Sequence, residues 1–338
     1  MLRQLVERML GADRADQMIS LLVIHPDLLA ETAATRAVMA QALNVVLFSD
    51  LLERVPAAAE YADDCRRDGR KVCHDHGAVR TVVLEGMGAL PSGEEALLRV
   101  LRPLGYGQNG LYPLERLKMT GRSYAQADYP EDIAQFFVSE LHVDRFSPAF
   151  AAAALTVTRS SRDPLTAEAK AVLARFEADG VVDFEAAAAA LPILAACFDR
   201  QHDIPATDAY ETLLAESAEM AWIATEGNAF NHATDRVEDV EALAAAQKAL
   251  GRPMKDTVEV SGSGRVRQTA FRAAQVARHF VAEDGGVAMR IVPGSFYEFI
   301  TRLPMLDETT GESRLDLAFD SSNAQGIFKM TEAARATA

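Results

Sequence analysis

A chain of 338 residues, 49% hydrophobic and 25% charged, has an ordinary globular composition and length enough for a sizeable core. Its net charge of −15, from 49 acidic against 34 basic side chains, opposes phosphate backbones and anionic lipid, so neither a nucleic-acid nor a membrane partner is expected. Cys65, Cys73 and Cys197 are too few and too scattered for a disulfide framework or a zinc ribbon.

The first sixty residues read as helix: Leu2, Leu5, Val6 and Met9 share a 3.6-residue spacing, and a second apolar face runs from Ala34 to Leu52. The opening Met1-Leu-Arg-Gln-Leu-Val-Glu-Arg lacks the apolar stretch of an export signal, and the longest apolar run, Ala186 to Phe198, falls short of the roughly twenty residues a bilayer requires. The cytosol is therefore the expected compartment. Asp63 to Lys71 reads as a charged turn closed by Gly69. From His76 to Glu85 the text becomes β-branched and short, which predicts a strand. Ser92 and Glu95 predict a capping box for a helix ending near Arg102, and Ile133 to Val143 predicts a second strand.

Pro148 to Ile223 is Ala-rich and helical. Its last helix is expected to start at a capping box of Asp208 and Glu211, with Tyr210, Leu213, Leu214, Ala218, Ala221 and Trp222 forming one core-packing stripe. After Gly227 the candidate strands are Asn228 to Thr234, Thr257 to Ser261, Val266 to Val281 and Val287 to Arg302, with a helix near Val237 to Leu250. Strands grouped in runs predict an α+β fold. We read residues 1–338 as a single catalytic domain, with a helical region at 1–70, β-rich parts at 71–147 and 226–338, and a helical insert at 148–225. The two β-rich parts read as possible distant copies of one module.

Three places carry candidate chemistry. On a strand, His76, Ala78 and Arg80 share a face, with room at Ala78 between an imidazole that suits a metal and a guanidinium that suits a carboxylate. In the second place, Phe230, His232 and Thr234 share a face. Taken singly, each of these histidines reads first as a structural residue, and Arg80 as half of a salt bridge. The third is Val292-Pro-Gly-Ser-Phe-Tyr-Glu298-Phe-Ile-Thr-Arg302, where Glu298 falls between Phe296 and Ile300. A carboxylate set in that much apolar surface needs a cation or hydrogen bonds to offset desolvation. Two neutral imidazoles and one carboxylate are the set that leaves open positions on non-haem iron(II). His25, His142, His202 and His279 read as structural, Ser261-Gly-Ser-Gly264 as a turn, and no Gly-x-Ser-x-Gly nucleophile elbow occurs.

Several phrases, in order, resemble the 2-oxoadipate dioxygenase/decarboxylase family: His76-Gly-Ala-Val-Arg80, Phe137-Val-Ser-Glu-Leu141, Leu214-Ala-Glu-Ser-Ala-Glu-Met-Ala-Trp222, Asn231-His232, Arg267-Gln-Thr269, Val292 to Phe299, and Asn323-Ala-Gln-Gly-Ile-Phe328. The resemblance implies a vicinal-oxygen-chelate-like fold of the hydroxymandelate synthase type, a partly closed β-barrel with added helices. It implies Fe(II) held by His76, His232 and Glu298, with Arg80 on the distal carboxylate of a small 2-oxo dicarboxylate and Gln268 as a supporting contact. The implied reaction takes 2-oxoadipate and O₂ to 2-hydroxyglutarate and CO₂, a step of lysine breakdown. Lys329 and Met330 depart from the family, which has an acidic and a small residue before Thr331. Two other readings fit the same residues: a zinc-dependent hydrolase or isomerase, and a non-catalytic dicarboxylate-binding protein.

Overall fold

The N-terminal apolar spacing becomes a helical layer, seen in a computed structural model that describes residues 1–306 and 311–319. The Asn323–Phe328 phrase, Lys329 and Met330 lie outside the described residues. Helices α1 (Leu2–Leu10), α2 (Ala12–Leu21) and α3 (Pro26–Ala30) lead through a short strand β1 (Ala34–Thr35) into α4 (Arg36–Arg54). Leu2, Leu5 and Val6 are buried as their spacing predicts, while α4 is buried on nearly every face and forms the centre of the layer. Helix α5 (Pro56–Arg67) overturns the expected turn at Asp63. Ion pairs Asp63–Arg66 and Asp64–Arg67, three residues apart, keep that charged stretch helical, so the turn is confined to residues 68–71.

The first β-rich part follows as β2 (His74–Val83), α6 (Glu95–Leu101), β3 (Tyr106–Leu114), β4 (Met119–Gln126) and β5 (Gln135–His142). Sequence reading missed β3 and β4. Their glycines and Pro113 erase the apolar alternation, which β3 tolerates because it is an edge strand. The capping box expected before α6 is absent: the Ser92 hydroxyl accepts from the Leu84 amide, and Glu94 stands at the helix start.

The insert comprises α7 (Pro148–Thr158), α8 (Ala167–Asp179), β6 (Val181–Val182, paired with β1), α9 (Phe184–Ala196), α10 (Thr207–Glu216) and α11 (Ala218–Glu226). The single stripe expected from Tyr210 to Trp222 is two helices. Ser217 is extended and caps α11 by accepting from the Met220 amide, so the chain breaks there. Asp208 lies inside the first turn of α10 instead of at its cap.

The second β-rich part runs β7 (His232–Arg236), α12 (Val240–Ala249), β8 (Glu259–Val260), β9 (Val266–Ala270), β10 (Gln275–Val281), β11 (Val287–Pro293) and β12 (Phe296–Arg302), then the short pair β13 (Pro304–Leu306) and β14 (Ser313–Leu315). Both long strands predicted here are split. Gly294 turns the chain between β11 and β12, where a side chain would come within 2.9 Å of Val276. Strands β10 and β11 thereby leave the main sheet as a separate hairpin.

The main sheet has eight strands in the order β3-β4-β5-β2-β7-β12-β9-β8 and curls into a half-barrel. Each half repeats one plan of strand, helix and three strands, with the first strand parallel to the last: β2 to β5 and β7 to β12. The two first strands meet antiparallel, with His76 opposite Thr234 and Ala78 opposite His232. His76-Gly-Ala-Val-Arg80 and His232-Ala-Thr-Asp-Arg236 thus occupy matching places, as expected for two copies of one module. Among the described residues no helix is long and apolar enough to cross a membrane.

Behind the seam, the Tyr61 hydroxyl donates to Asp235 at 2.7 Å and the Cys73 amide at 2.8 Å. Burial nevertheless pushes the Asp235 carboxyl up to about 7. A carboxyl raised on folding contributes stability at acid pH that is lost as pH rises through its folded value. Relative to Asp235→Asn, the wild type should therefore lose up to about 4 kcal/mol between pH 4 and 8. Denaturant unfolding of both proteins across that range checks this, and a constant difference would refute it.

Candidate metal centre

Strands β2, β7 and β12 lie side by side, and each turns one ligand-bearing residue to the concave face. Parity places His76 with Ala78 and Arg80, His232 with Thr234, and Glu298 with Phe296 and Ile300. All three candidate ligands are buried, and one ligand atom from each lies within 4.8 Å of the others. The Glu298 Oε2 is 3.3 Å from His76 Nε2 and 3.5 Å from His232 Nε2. Its Oε1 is buried and has no hydrogen-bond partner among the described residues. The structure therefore brings the three together, although each had a structural alternative when taken alone. Gly77 permits the arrangement locally: a Cβ there would fall 2.2 Å from the Phe230 ring.

The electrostatics are those of one neutral imidazole beside a charged imidazole–carboxylate pair. Burial pushes the His232 imidazole down to about 3, with neighbouring His76 and Arg80 adding to the effect, so it is a neutral nitrogen donor. Burial also opposes charge on His76, but its hydrogen bonds to Asp75 and Glu298 outweigh that and raise it. Glu298 is lowered overall: burial pushes it up, and the two imidazoles and the Thr234 hydroxyl more than reverse this.

The tautomers are held from behind. Asp75 Oδ2 meets His76 Nδ1 at 2.8 Å, leaving Nε2 toward Glu298. Asn231 holds the equivalent place beside His232, with Oδ1 3.4 Å from its Nδ1. Thr234 donates to Glu298 Oε2 at 2.7 Å and its hydroxyl is 3.1 Å from His76 Nε2. Sequence reading missed these partners, although Asp75 stands inside the His74-Asp-His76 phrase. It also left open whether His74 reaches the site. A register shift between His74 and His76 sends the His74 ring among Phe48 and Phe230, 4.9 and 6.1 Å away, and outside the ligand group.

Arg80 is 1% exposed and lies further along the face of β2. Its guanidinium sits 5.0 Å over the ring of Trp222, which sequence reading had assigned to plain core packing. Burial lowers it to about 10, opposed by the charge of Glu219, so it stays a cation near neutral pH. Gln268 is buried on β9, opposite Ile300 and Glu259, and its carboxamide bonds Glu259. No hydrogen bond between Gln268 and the three candidate ligands is seen among the described residues.

Residues 37–335 match the family described as 2-oxoadipate dioxygenase/decarboxylase. A glyoxalase superfamily protein from Ralstonia eutropha JMP134 superposes with a TM-score of 0.90 at 56% identity, covering 95% of this chain and 98% of that one. The fold is thus of the vicinal-oxygen-chelate type, as expected. The hydroxyglutarate synthase of Oryza sativa, solved in complex with 2-oxoadipate, has a TM-score of 0.67 at 20% identity over 91% of this chain and 98% of its own. That of Pseudomonas putida has a TM-score of 0.60 at 17% identity over 91% of this chain and 76% of its own. These two likenesses are of fold. No curated protein matches the chain in sequence at a significant level.

Proposed function

Because the chain belongs to the 2-oxoadipate dioxygenase/decarboxylase family, we propose that it is an Fe(II) enzyme converting a 2-oxo dicarboxylate, 2-oxoadipate, and O₂ into 2-hydroxyglutarate and CO₂. The observation that supports this most is Glu298: a carboxylate 1% exposed, with one oxygen unpartnered among the described residues and the other facing two imidazole nitrogens. That donor set fits a divalent ion, and nitrogen–nitrogen–oxygen ligation with open positions suits iron(II). His76, His232 and Glu298 would hold it. Iron(II), when bound, supplies the redox chemistry that lets dioxygen react with a 2-oxo acid.

The chain's own residues do the positioning. Arg80 takes the distal carboxylate through a bidentate contact, its plane fixed against Trp222, and so sets which carbon faces the metal side of the pocket. Gln268 supports the far wall of the site through Glu259. The burial of all three ligands keeps bulk water from the reacting groups. The stoichiometry balances without a second organic substrate. The carboxylate next to the keto group leaves as CO₂, the former keto carbon becomes a carboxylate with one oxygen atom, and the adjacent methylene takes the other as a hydroxyl. We read residues 1–338 as one catalytic domain, and lysine breakdown in the cytosol as the setting this reaction implies.

The decisive experiment is oxygen uptake after anaerobic loading with Fe(II), with CO₂ and 2-hydroxyglutarate quantified. Equal amounts of O₂ consumed, CO₂ and hydroxy acid formed are expected from 2-oxoadipate, and none with Zn(II). Absence of oxygen uptake with any 2-oxo acid would exclude the reading.

A further inference from the structure

One guanidinium joins the candidate metal centre to the last described stretch of chain. Arg302, at the end of β12, has a side chain 0% exposed. Its Nε donates to Asp75 Oδ1 at 2.9 Å and its Nη2 to Asp75 Oδ2 at 2.9 Å, the oxygen that also meets His76 Nδ1. Its Nη1 donates to the carbonyls of Asp316 and Ala318, at 2.8 and 2.7 Å. The fork therefore has one side on the carboxylate that orients a candidate ligand and the other on the backbone after β14.

That backbone crosses the concave face. Phe319 places its ring 4.7 Å from the His76 ring, edge-on, and 5.1 Å from Phe137, with the Arg302 guanidinium 4.8 Å above it. The Phe319 amide donates to the Tyr112 hydroxyl at 3.0 Å, and Gln135 donates to the Leu317 carbonyl at 3.4 Å. Phe319 so covers the apolar patch of Ala78, Tyr112 and Phe137 beside His76. Strands from both copies of the module are bridged by seven residues, 313–319.

We propose that Arg302 is a positioning residue that latches segment 313–319 over His76, so that closure of this strap and occupancy of the metal site stabilise one another. The inference rests on the metal reading of His76, His232 and Glu298. A fixed His76 ring fixes Asp75, and a fixed Asp75 holds the guanidinium plane in which the two strap carbonyls find their donor. Lysine cannot replace it, since a single ammonium cannot serve a carboxylate and two carbonyls in one plane. Coupling of this kind is reciprocal: the factor by which the metal lowers the equilibrium constant for strap opening equals the factor by which closure tightens the metal.

The test uses Co(II) alone, followed by its visible absorption, and amide exchange across residues 313–319. In the wild type, Co(II) should slow exchange there about tenfold, and Phe319→Ala should bind Co(II) about tenfold more weakly. Arg302→Lys should bind Co(II) with strap exchange that no longer responds to it. Unchanged exchange on Co(II) binding, or wild-type affinity in Phe319→Ala, would overturn the latch while leaving the metal reading intact. A wild type that binds no Co(II) would overturn both. If Arg302→Lys does not fold, the wild-type exchange and Phe319→Ala still decide.

Discussion

Glu298→Gln is expected to bind divalent metal a hundredfold to a few thousandfold more weakly than the wild type, and to consume no oxygen above background. The magnitude follows from the cost of leaving a buried ion without its counter-charge, roughly 3–5 kcal/mol. The amide keeps the volume of the carboxylate, which shares its strand face with Phe296 and Ile300, so a loss cannot be assigned to repacking. The metal-free variant should be less stable than metal-free wild type near neutral pH, because the two imidazoles and the Thr234 hydroxyl hold Glu298 below the usual carboxylate range in the folded state and the amide forgoes that stabilisation. Metal should raise the melting temperature of the wild type only, as binding to the native state alone requires. Calorimetric titration with Co(II) and thermal unfolding with and without metal measure both effects. Metal affinity within tenfold of wild type would remove Glu298 from the ligand set.

Arg80→Ala should separate substrates by their far end. For 2-oxoadipate, kcat/KM should fall by about three orders of magnitude, the loss of a buried, charge-assisted, two-point contact. For a 2-oxo acid of similar length with a methyl in place of the distal carboxylate, the fall should stay below about tenfold. Arg80→Lys should lie between, since lysine restores charge without the planar fork that stacks on Trp222. Steady-state oxygen uptake on the two acids supplies the comparison, with metal affinity as the control for the ligand set. Equal losses on both acids would remove Arg80 from substrate recognition.

These predictions draw on residues of unequal visibility. His76, His232 and Glu298 could be marked from the chain because strand parity is local: alternate residues share a face whatever the strand pairs with. The same parity placed Arg80 beyond Ala78 and set Glu298 among aromatic neighbours. It failed where a backbone irregularity intervened, at the bulge that sends His74 away from His76 and at the extended Ser217 that cuts one predicted helix in two. It was also silent on Arg302, whose role depends on partners 227 residues back and 14 to 16 residues ahead.

The amino-acid order by itself determined the α+β class, the acidic character of the chain, and the identity of the three side chains able to hold a metal. The family phrases added the chemistry to be expected of it. Only the tertiary structure decided that those side chains meet, that Asp75 and Thr234 orient them, and that Trp222 carries Arg80. The reason is that periodicity fixes the faces of one strand, whereas register between strands more than 150 residues apart is set by burial of the whole sheet.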